Sequence, residues 1–548
     1  MSKKRYSLGL DFGTLSARGI LANVDDGSIL PYESVFNYPH AIITQLGDVS
    51  LPSNYAIQHP VDYTDALTFL ICDLLSKNNV AKESVIGIGI DFTDCSFLPI
   101  NEDFIPMCML DEYKNAPHAY VKIWKHHAKE EYTQKILHCA KEYDETLLEV
   151  SGDTLTSEFF IPKLYETFCE SRKLYDETYK FVSAGDFVTS LLIGKKLIHS
   201  KSFSAKQHYN GNAYPTTEFF SLIDKDFANA YEEKTVTELS PPFASVGTLC
   251  KEWANKVGLC EGIAVSAPII DAYGAISASG IKEDRAVLVL GTSAVLEAVT
   301  SPKHSIKGLL ASSYESIAPK MTTIEAGLAA MGDLFEWFIK NCLPAEYSKK
   351  AEELNMTPHQ YLRLLSKDQK IGAHGLIALD WWNGCRSMHL NNTSSGMIIG
   401  LKLSTKPEDI YRALLESTAF GIRRILDCLA EQGIVFSEIF ATGGISLKDP
   451  MLMQICADVF NIPIFCLSAT QATALGSAIY GAVAAGAYDS IITASEKMAS
   501  KIATAYYPTK ANHKEYEKIY NEYKKIFDYY NQNNDSIMTF LSQNKFLN

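Results

Sequence analysis

The stretch YSLGLDFGTLSARGILANVDDG, from Tyr6 to Gly27, joins two apolar strand patterns through a polar turn. Residues 8–10 end the first strand and residues 19–24 form the second, so the pair predicts a β-hairpin. The tip between them is too long and too polar for a plain tight turn. Small residues let backbone N–H groups approach a phosphate closely, and Thr and Ser hydroxyls add further donors. The hairpin therefore predicts a turn that grips a phosphate group.

Two later segments follow a similar pattern. An apolar strand at Ala286–Leu290 enters the turn Gly291-Thr292-Ser293, and a second strand-like run follows at 294–299. Another strand enters Gly443-Gly444 and leads into a helix. The recurrence predicts two lobes, each opening with a strand–turn–strand hairpin. No long stretch of sequence repeats, which excludes a solenoid.

A phosphate held between two such turns would be repelled by Asp11 unless a cation lay between the phosphate and the carboxylate. Asp11 is therefore predicted to be an outer ligand of Mg²⁺, an ion that keeps several waters and takes few carboxylates. The same design could hold an anion without turnover, so the turns alone do not specify catalysis. The sequence lacks a G-x-x-x-x-G-K-[ST] loop and a dinucleotide-binding glycine motif, and its one D-F-G lies outside a protein-kinase context.

Composition narrows the class of partner. The chain has 548 residues, 47% of them apolar, and a net charge of −14. Nucleic acids and anionic membranes are themselves negative, so neither is expected as a partner. The longest apolar stretch, residues 474–488, is too short to span a bilayer, and the N-terminus does not resemble a signal peptide. No C-x-x-C pair supports a zinc cluster. We expect a soluble, cytoplasmic protein.

Periodicity adds a coarse secondary structure. Residues 62–75 and 118–129 both show helical patterns, and residues 181–194 predict a strand end followed by a buried helix. Residues 203–231 are predicted to be rich in loops. The segment from Thr509 onward predicts an amphipathic closing helix rather than a partner-binding motif.

Several segments together carry a family likeness. GLDFGTLSARGIL, GTS, TGG and ALGSAIYGAVAAG resemble the FGGY carbohydrate kinases. PHAYVKIWKHH (residues 117–127) and ALDWWNGCRS (residues 378–387) are more specific and resemble the ribulokinase branch of that family. The likeness covers roughly residues 5 to 490.

The resemblance implies an α/β, two-lobed, actin-like (ribonuclease H-like) duplicated fold with a central cleft. It implies an N-terminal domain over 1–275, a C-terminal domain over 276–490 and a helical extension over 491–548. It also implies ATP and Mg²⁺ as cofactors and the conversion of L-ribulose to L-ribulose 5-phosphate, a step of arabinose catabolism. Nucleotide contacts are expected from Gly13, Thr14, Ser16, Arg18, Gly291, Thr292, Ser293, Gly443 and Gly444, with the last two lying against the adenosine.

On the sugar side, Asp271 in APIIDAYGA matches the family's catalytic base. Without the resemblance, it would equally be interpreted as a helix N-cap. Glu325 and Lys206 match positions that hold sugar hydroxyls, although solvated surface is the alternative for Lys206. His126 and His127 are expected to pack or to form hydrogen bonds rather than to bind a metal.

The sequence departs from the family pattern around the sugar. Asp94 replaces a small residue, Tyr273 replaces a histidine, and Leu328 replaces a glutamine; a polar run after Ser293 becomes AVLE. Asp94 is expected to accept a hydrogen bond from one more sugar hydroxyl and to exclude sugars that cannot offer it. D-ribulose, xylulose or a pentitol therefore stay open as substrates. A non-catalytic actin-like ATP switch is a further alternative, and a homodimer is one assembly that the sequence allows.

Overall fold

The computed structural model of the protein describes residues 4–301, 306–309, 311–388, 394–532 and 537–543. The predicted domain ranges include positions outside these, among them 533–536 and 544–548 in the C-terminal extension, and their boundaries remain a prediction. The strands are β1 (Tyr6–Phe12), β2 (Ser16–Asn23), β3 (Ser34–Asn37), β4 (Gln45–Leu46), β5 (Val49–Ser50), β6 (Ile57–Gln58), β7 (Val85–Phe92), β8 (Phe97–Ile100), β9 (Val121–Lys122), β10 (Lys180–Ser183), β11 (Ser245–Thr248), β12 (Ala264–Ser266), β13 (Ile269–Ile270), β14 (Arg285–Leu290), β15 (Ala294–Thr300), β16 (Ala311–Tyr314), β17 (Thr322–Leu328), β18 (Ile377–Leu379), β19 (Met397–Ile399), β20 (Glu438–Thr442), β21 (Ile464–Leu467) and β22 (Ile502–Tyr506).

Helices cover the faces of the sheets, and short 3₁₀ turns join many of them. The α-helices are α1 (Val61–Lys77), α2 (Glu130–Tyr143), α3 (Phe160–Glu170), α4 (Arg172–Glu177), α5 (Ala184–Leu192), α6 (Thr217–Ile223), α7 (Ala230–Lys234), α8 (Lys251–Val257), α9 (Asp271–Ser279), α10 (Gly332–Cys342), α11 (Ala345–Glu353), α12 (Pro358–Ser366), α13 (Pro407–Glu431), α14 (Gly444–Lys448), α15 (Pro450–Phe460), α16 (Ala472–Ala484), α17 (Ile491–Met498), α18 (Lys510–Gln532) and α19 (Ile537–Gln543). The predicted helix over 62–75, the strand and helix over 181–194, and the closing helix are confirmed.

The opening hairpin lies in the middle of the first large sheet, whose strand order is β11-β12-β7-β1-β2-β3. Strands β1 and β2 pair antiparallel with Asp11 opposite Arg18, as the sequence predicts. Strands β7 and β12 continue the sheet in parallel, and β11 closes the edge antiparallel. The hairpin tip therefore lies at the carboxyl end of β1, beside the end of β7.

The second large sheet repeats this plan in the order β16-β17-β15-β14-β20-β21-β22. Here β14 and β15 form the antiparallel hairpin, β20 and β21 follow in parallel, and β22 closes the edge antiparallel. One apolar core is built mainly on the first sheet and also includes second-sheet residues such as Val287 and Val299, and a second core is built on the second sheet. The duplication agrees with the predicted two-lobed α/β fold.

Helix α16 connects the two halves, because it comes late in the chain yet packs on the first sheet. Glycines on β1 and β7 permit this contact. A Cβ atom added to Gly9 would lie 1.9 Å from the carbonyl oxygen of Ala474, and one added to Gly89 would lie 1.8 Å from that of Ser477. The helix brings polar side chains to the end of β1, next to the hairpin tip.

The predicted helix over 118–129 is wrong. Strand β9 lies within this segment and pairs antiparallel with β6 and β8. The polar groups of Lys122 and His126 are not solvated but bond to the buried Glu166, at 2.8 and 2.7 Å. These bonds inside the lobe favour an extended segment over a surface helix.

Residues 203–231 are only partly loop, because α6 and the 3₁₀ turns Ala205–Gln207 and Lys225–Phe227 interrupt them and α7 begins at Ala230. Further along, α18 docks on the second lobe with Tyr516, Tyr520 and Tyr523 buried. Among the described residues, no helix combines the length and apolar character that crossing a membrane requires.

Candidate active site

The turn between β1 and β2 is held in shape by one hydrogen bond of its own and by two from side chains outside it. The Gly13 N–H donates to the Ser16 carbonyl oxygen (3.1 Å) and closes the turn. The Gln58 amide donates to the Thr14 carbonyl oxygen (2.6 Å), and the Trp124 indole N–H donates to Thr14 Oγ1 (3.0 Å). The tip is therefore fixed before a ligand arrives.

Two buried carboxyl groups lie beneath this turn. Asp11 accepts hydrogen bonds from Thr473 Oγ1 (3.0 Å) and Arg18 Nη1 (3.4 Å). Asp91 lies directly opposite Asp11 in the parallel pair of β1 and β7. Its Oδ2 accepts from Ser477 Oγ (2.6 Å), while its Oδ1 has no partner within the described residues. Burial and the neighbouring charge of Asp11 raise the pKa of Asp91 well above its ordinary value.

These carboxyl groups fit a magnesium ion. Within the described part of the chain, no group of three or more His, Cys, Asp or Glu side chains forms a ready-made metal site. Mg²⁺ does not need one, since it keeps several waters and takes one or two protein carboxylates together with substrate phosphates. The unpartnered oxygen of Asp91 beside Asp11 is the kind of group that a cation would satisfy.

The second turn opens onto a cavity of about 590 Å³. In the turn, the Gly291 N–H donates to the Ser293 carbonyl oxygen (2.9 Å), and the Thr292 carbonyl oxygen accepts from the Met331 N–H (2.8 Å). The cavity is lined by Leu290, Gly291, Gly332, Phe335, Thr357, His359, Gln360, Arg363, Tyr411, Gly444, Ile445, Lys448 and Asp449. Gly291 and Gly444 thus border one space, which is large enough for a nucleoside.

The two adjacent glycines after β20, Gly443 and Gly444, differ in backbone conformation and in the space around them. Gly443 has φ +94°, and a Cβ atom there would lie 2.3 Å from the Leu290 carbonyl oxygen, so the backbone itself requires glycine. A Cβ atom at Gly444 would meet nothing within 4 Å. The backbone conformation and a close contact within the protein therefore explain Gly443, whereas nothing in the protein itself requires glycine at position 444.

Asp271 begins α9, directly after β13, and its Oδ1 accepts the N–H of Ala272 (2.8 Å). The N-cap is Ile270 and has no side-chain cap, so Asp271 is the first helical residue and not the N-cap that the alternative proposes. Burial and the charge of Asp11 raise the pKa of Asp271 to about 7, with smaller contributions from Asp94 and Glu325. The carboxyl group thus lies between the acids under the phosphate turn and those of the predicted sugar pocket.

Lys206 is the centre of a buried ion cluster. Its Nζ donates to Glu325 Oε2 (2.8 Å) and lies 3.2 Å from Asp94 Oδ2. The alternative that Lys206 is solvated surface is wrong, because only 7% of the residue is exposed. Burial lowers its pKa, but Glu325 and Asp94 more than offset this and keep the ammonium charged. The three predicted sugar residues are therefore one ion cluster.

Among the positions that depart from the family pattern, Asp94 belongs to this cluster and Tyr273 is affected by its charges, whereas Leu328 belongs to the apolar core of the second sheet. Tyr273 is buried on α9, and burial together with Glu325 raises the pKa of its phenol. Leu328 is buried opposite Ala294 in the pairing of β17 with β15. Asp94 Oδ1 accepts the Cys95 N–H (2.7 Å), which fixes its carboxyl plane.

Some residues of the site are not apparent from the sequence. Asp91 and Thr473 meet Asp11 only through the sheet and α16, so no local motif indicates them. Arg386 has a signal in GCRS, and its Nη2 lies 3.9 Å from Glu325 Oε1. Arg386 also lines a cavity of about 300 Å³ with Trp124, Thr292 and Ser293. This cavity joins elements of both lobes. His126 and His127 form hydrogen bonds with Glu166 (2.7 Å) and Ser157 (3.0 Å), as expected.

Comparison with known proteins identifies the family. Residues 286–485 match the C-terminal domain of the FGGY family of carbohydrate kinases. The chain is 35% identical to a ribulokinase of Geobacillus thermodenitrificans and 36% identical to one of Anoxybacillus flavithermus, covering 98% of this chain and 96% of each relative. It belongs to the FGGY carbohydrate kinases.

The solved structure of a xylulose kinase from Rhodospirillum rubrum shares the fold, with a TM-score of 0.79 and 19% identity over 96% of this chain and 99% of that one. The fold predicted from the hairpins is thereby confirmed. As an FGGY carbohydrate kinase, the protein is an enzyme that transfers a phosphoryl group from ATP to a sugar.

Proposed function

We propose that this kinase phosphorylates a ketopentose, converting L-ribulose and ATP to L-ribulose 5-phosphate and ADP. The position of Asp271 carries the proposal. Its carboxyl group is coupled both to Asp11 beneath the phosphate turn and to Asp94 and Glu325 in the sugar pocket. The ribulokinase relatives match this chain over nearly their whole length, so the sugar that their name indicates is the first substrate to test.

Asp271 is proposed as the general base. Its carboxylate would orient the attacking sugar hydroxyl and accept its proton as the new O–P bond forms, while ADP leaves. A pKa of about 7 suits this task, because the group is ionised in useful amounts near neutral pH and still binds a proton readily.

The phosphate turns are proposed to hold the nucleotide. Gly13, Thr14, Ser16 and Arg18 would contact the terminal phosphates from one lobe, with Gly291, Thr292 and Ser293 contacting them from the other. Gly443 and Gly444 would lie beside the adenosine. Mg²⁺, held by Asp11 with Asp91 beside it, would neutralise the phosphate charge when bound.

The ion cluster is proposed to hold the sugar. Lys206 can donate to a hydroxyl or carbonyl oxygen, and Glu325 can accept from a hydroxyl group. Asp94 would accept from one further hydroxyl. This second acceptor is the specific observation that favours a second candidate, the same reaction on D-ribulose, xylulose or a pentitol.

The experiment is an ADP-release assay with MgATP across a panel of ketopentoses, aldopentoses and pentitols. L-ribulose should give the highest kcat/KM. A different best sugar would replace L-ribulose as substrate without changing the reaction class. ATP hydrolysis that no sugar stimulates would contradict the kinase and support the non-catalytic switch. We further propose that the enzyme works in the cytoplasm. A homodimer remains a prediction that size-exclusion chromatography would test.

A further inference from the structure

Glu297 is a buried carboxyl group that the proposed reaction does not use. It lies in β15, directly opposite Glu325 of β17, and directly paired residues of antiparallel strands project to the same face. Its exposed fraction is zero. Neither of its carboxyl oxygens has a hydrogen-bond partner within the described residues.

The neighbours of Glu297 are those of the sugar pocket. The charges that act on it are those of Glu325, Asp271, Lys206 and Arg386. The charge of Glu297 also raises the pKa of the Tyr273 phenol on α9, a helix that packs against β15. Glu297 therefore lies between the second sheet and the helix that presents Asp271.

The two cations of the pocket serve other acids. Lys206 Nζ lies 2.8 Å from Glu325 and 3.2 Å from Asp94, and the guanidinium of Arg386 lies 3.9 Å from Glu325. Glu297 forms no ion pair among the described residues. Burial, followed by the charges of Glu325 and Asp271, raises its pKa well above the ordinary value. A protonated carboxyl group offers one O–H donor and one carbonyl acceptor.

A purely structural role does not explain this group. A buried polar group without partners destabilises the fold, and Leu or Met would fill the same volume without that cost. Unsatisfied polar groups at a binding pocket are expected where a ligand supplies the missing partners. Glu297 lies beside Lys206 and Glu325, and a polyol is a ligand rich in such partners.

We infer that Glu297 is a specificity-determining residue that hydrogen-bonds a sugar hydroxyl group next to the one bound by Glu325. The inference rests on the proposed sugar-kinase function and extends it. The substrate it implies is a polyhydroxylated sugar, with hydroxyl groups on adjacent carbons for Glu325 and Glu297. A sugar that lacks one of these hydroxyls would leave the buried carboxyl unpaired and would be rejected.

The test compares three substitutions. Glu297→Gln keeps a donor and an acceptor, Glu297→Leu removes both, and Glu297→Asp withdraws the carboxyl group by one methylene. The control is Leu296→Met, which lies on the same strand with its side chain in the core on the opposite face. The readouts are KM for the best sugar of the panel, KM for ATP, and the melting-temperature shift caused by that sugar without ATP.

We expect Glu297→Leu to raise the sugar KM at least ~10-fold and to lose most of the sugar-induced shift, with KM for ATP little changed. Glu297→Gln should stay within about 3-fold of the wild type, since it retains both hydrogen-bonding groups. If Glu297→Leu does not fold, Glu297→Asp should show the raised sugar KM instead. Leu296→Met should leave the ranking of sugars unchanged.

Unchanged sugar KM and ranking in the folded Leu and Asp variants would overturn the inference. Because sugar binding is measured without ATP, this result is separate from a failure of phosphoryl transfer. A best sugar other than L-ribulose would correct the proposed substrate, and the role of Glu297 would be decided with that sugar. A wild type that no sugar stabilises or activates would contradict both.

Discussion

At the scale of single residues, Asp271 couples function to stability. Its pKa of about 7 in the folded protein exceeds the value of about 3.9 expected in an unfolded chain. The folded protein therefore binds the Asp271 proton more tightly than the unfolded chain does. This contribution to the free energy of unfolding is complete below about pH 4 and is lost as the pH rises to about 7.

Asp271→Asn has no such titration. The variant should be more stable than the wild type. The difference between their free energies of unfolding should increase by roughly 1–3 kcal/mol from pH 5 to pH 8. Urea denaturation of the ligand-free proteins at both pH values measures this. Asp48→Asn, at an exposed position, is the control and should show no such growth. An Asp271→Asn difference that is equal at both pH values would contradict the raised pKa.

Asp94 is the residue through which we expect sugar choice to be altered most easily. Asp94→Ala removes one acceptor and one partner of Lys206, while the phosphate turns are untouched. The ranking of sugars by kcat/KM should change, and KM for ATP should stay within about 2-fold. An unchanged ranking would show that Asp94 only balances the charge of Lys206.

The residues that a motif could indicate were those close to a strand end or in a family segment, such as Asp11, Lys206, Asp271 and Glu325. Asp91 could not be found in this way, because its position opposite Asp11 exists only once β1 pairs with β7. The ion pair between Asp94 and Lys206 likewise joins segments more than 100 residues apart.

At the scale of elements, the tail helix α18 is fixed by a buried polar contact. The Tyr523 hydroxyl donates to Asp380 Oδ1 (2.6 Å), and both groups are buried. Burial raises the pKa of Asp380 to about 6. Tyr523→Phe should cost about 1–3 kcal/mol of unfolding free energy at pH 8, where the carboxyl group is charged, and less at pH 5.

Urea denaturation tests the Tyr523→Phe prediction. Tyr507→Phe, at a largely exposed tyrosine, is the matched control and should change stability by less than about 0.5 kcal/mol. Equal effects of the two substitutions would show that the contact with Asp380 does not hold the tail helix in place.

Elements were predictable where local pattern and tertiary environment agree. Both hairpins, α1 and the closing helix have strong periodicity and occur as predicted. The segment 118–129 has helical periodicity, yet the buried bonds of Lys122 and His126 to Glu166 hold it extended. Such tertiary contacts override local preference, and a single sequence does not display them.

At the scale of the whole molecule, two duplicated lobes face one cleft. The cavity bordered by Trp124 of the first half and by Thr292, Ser293 and Arg386 of the second is the space that closure would narrow. Closure would exclude water, which competes with the sugar for the phosphoryl group. Small-angle X-ray scattering should show a smaller radius of gyration with sugar and a non-hydrolysable ATP analogue together than without ligands. An unchanged radius would contradict closure.

The central claim is that one carboxylate, Asp271, prepares a sugar hydroxyl for attack on a nucleotide held between two glycine turns. The most direct test is phosphorylation of the best sugar by Asp271→Asn, with ATP binding measured on the same preparation. We predict a loss of at least ~10²-fold in kcat with nearly unchanged affinity for ATP. Turnover near that of the wild type would contradict the claim.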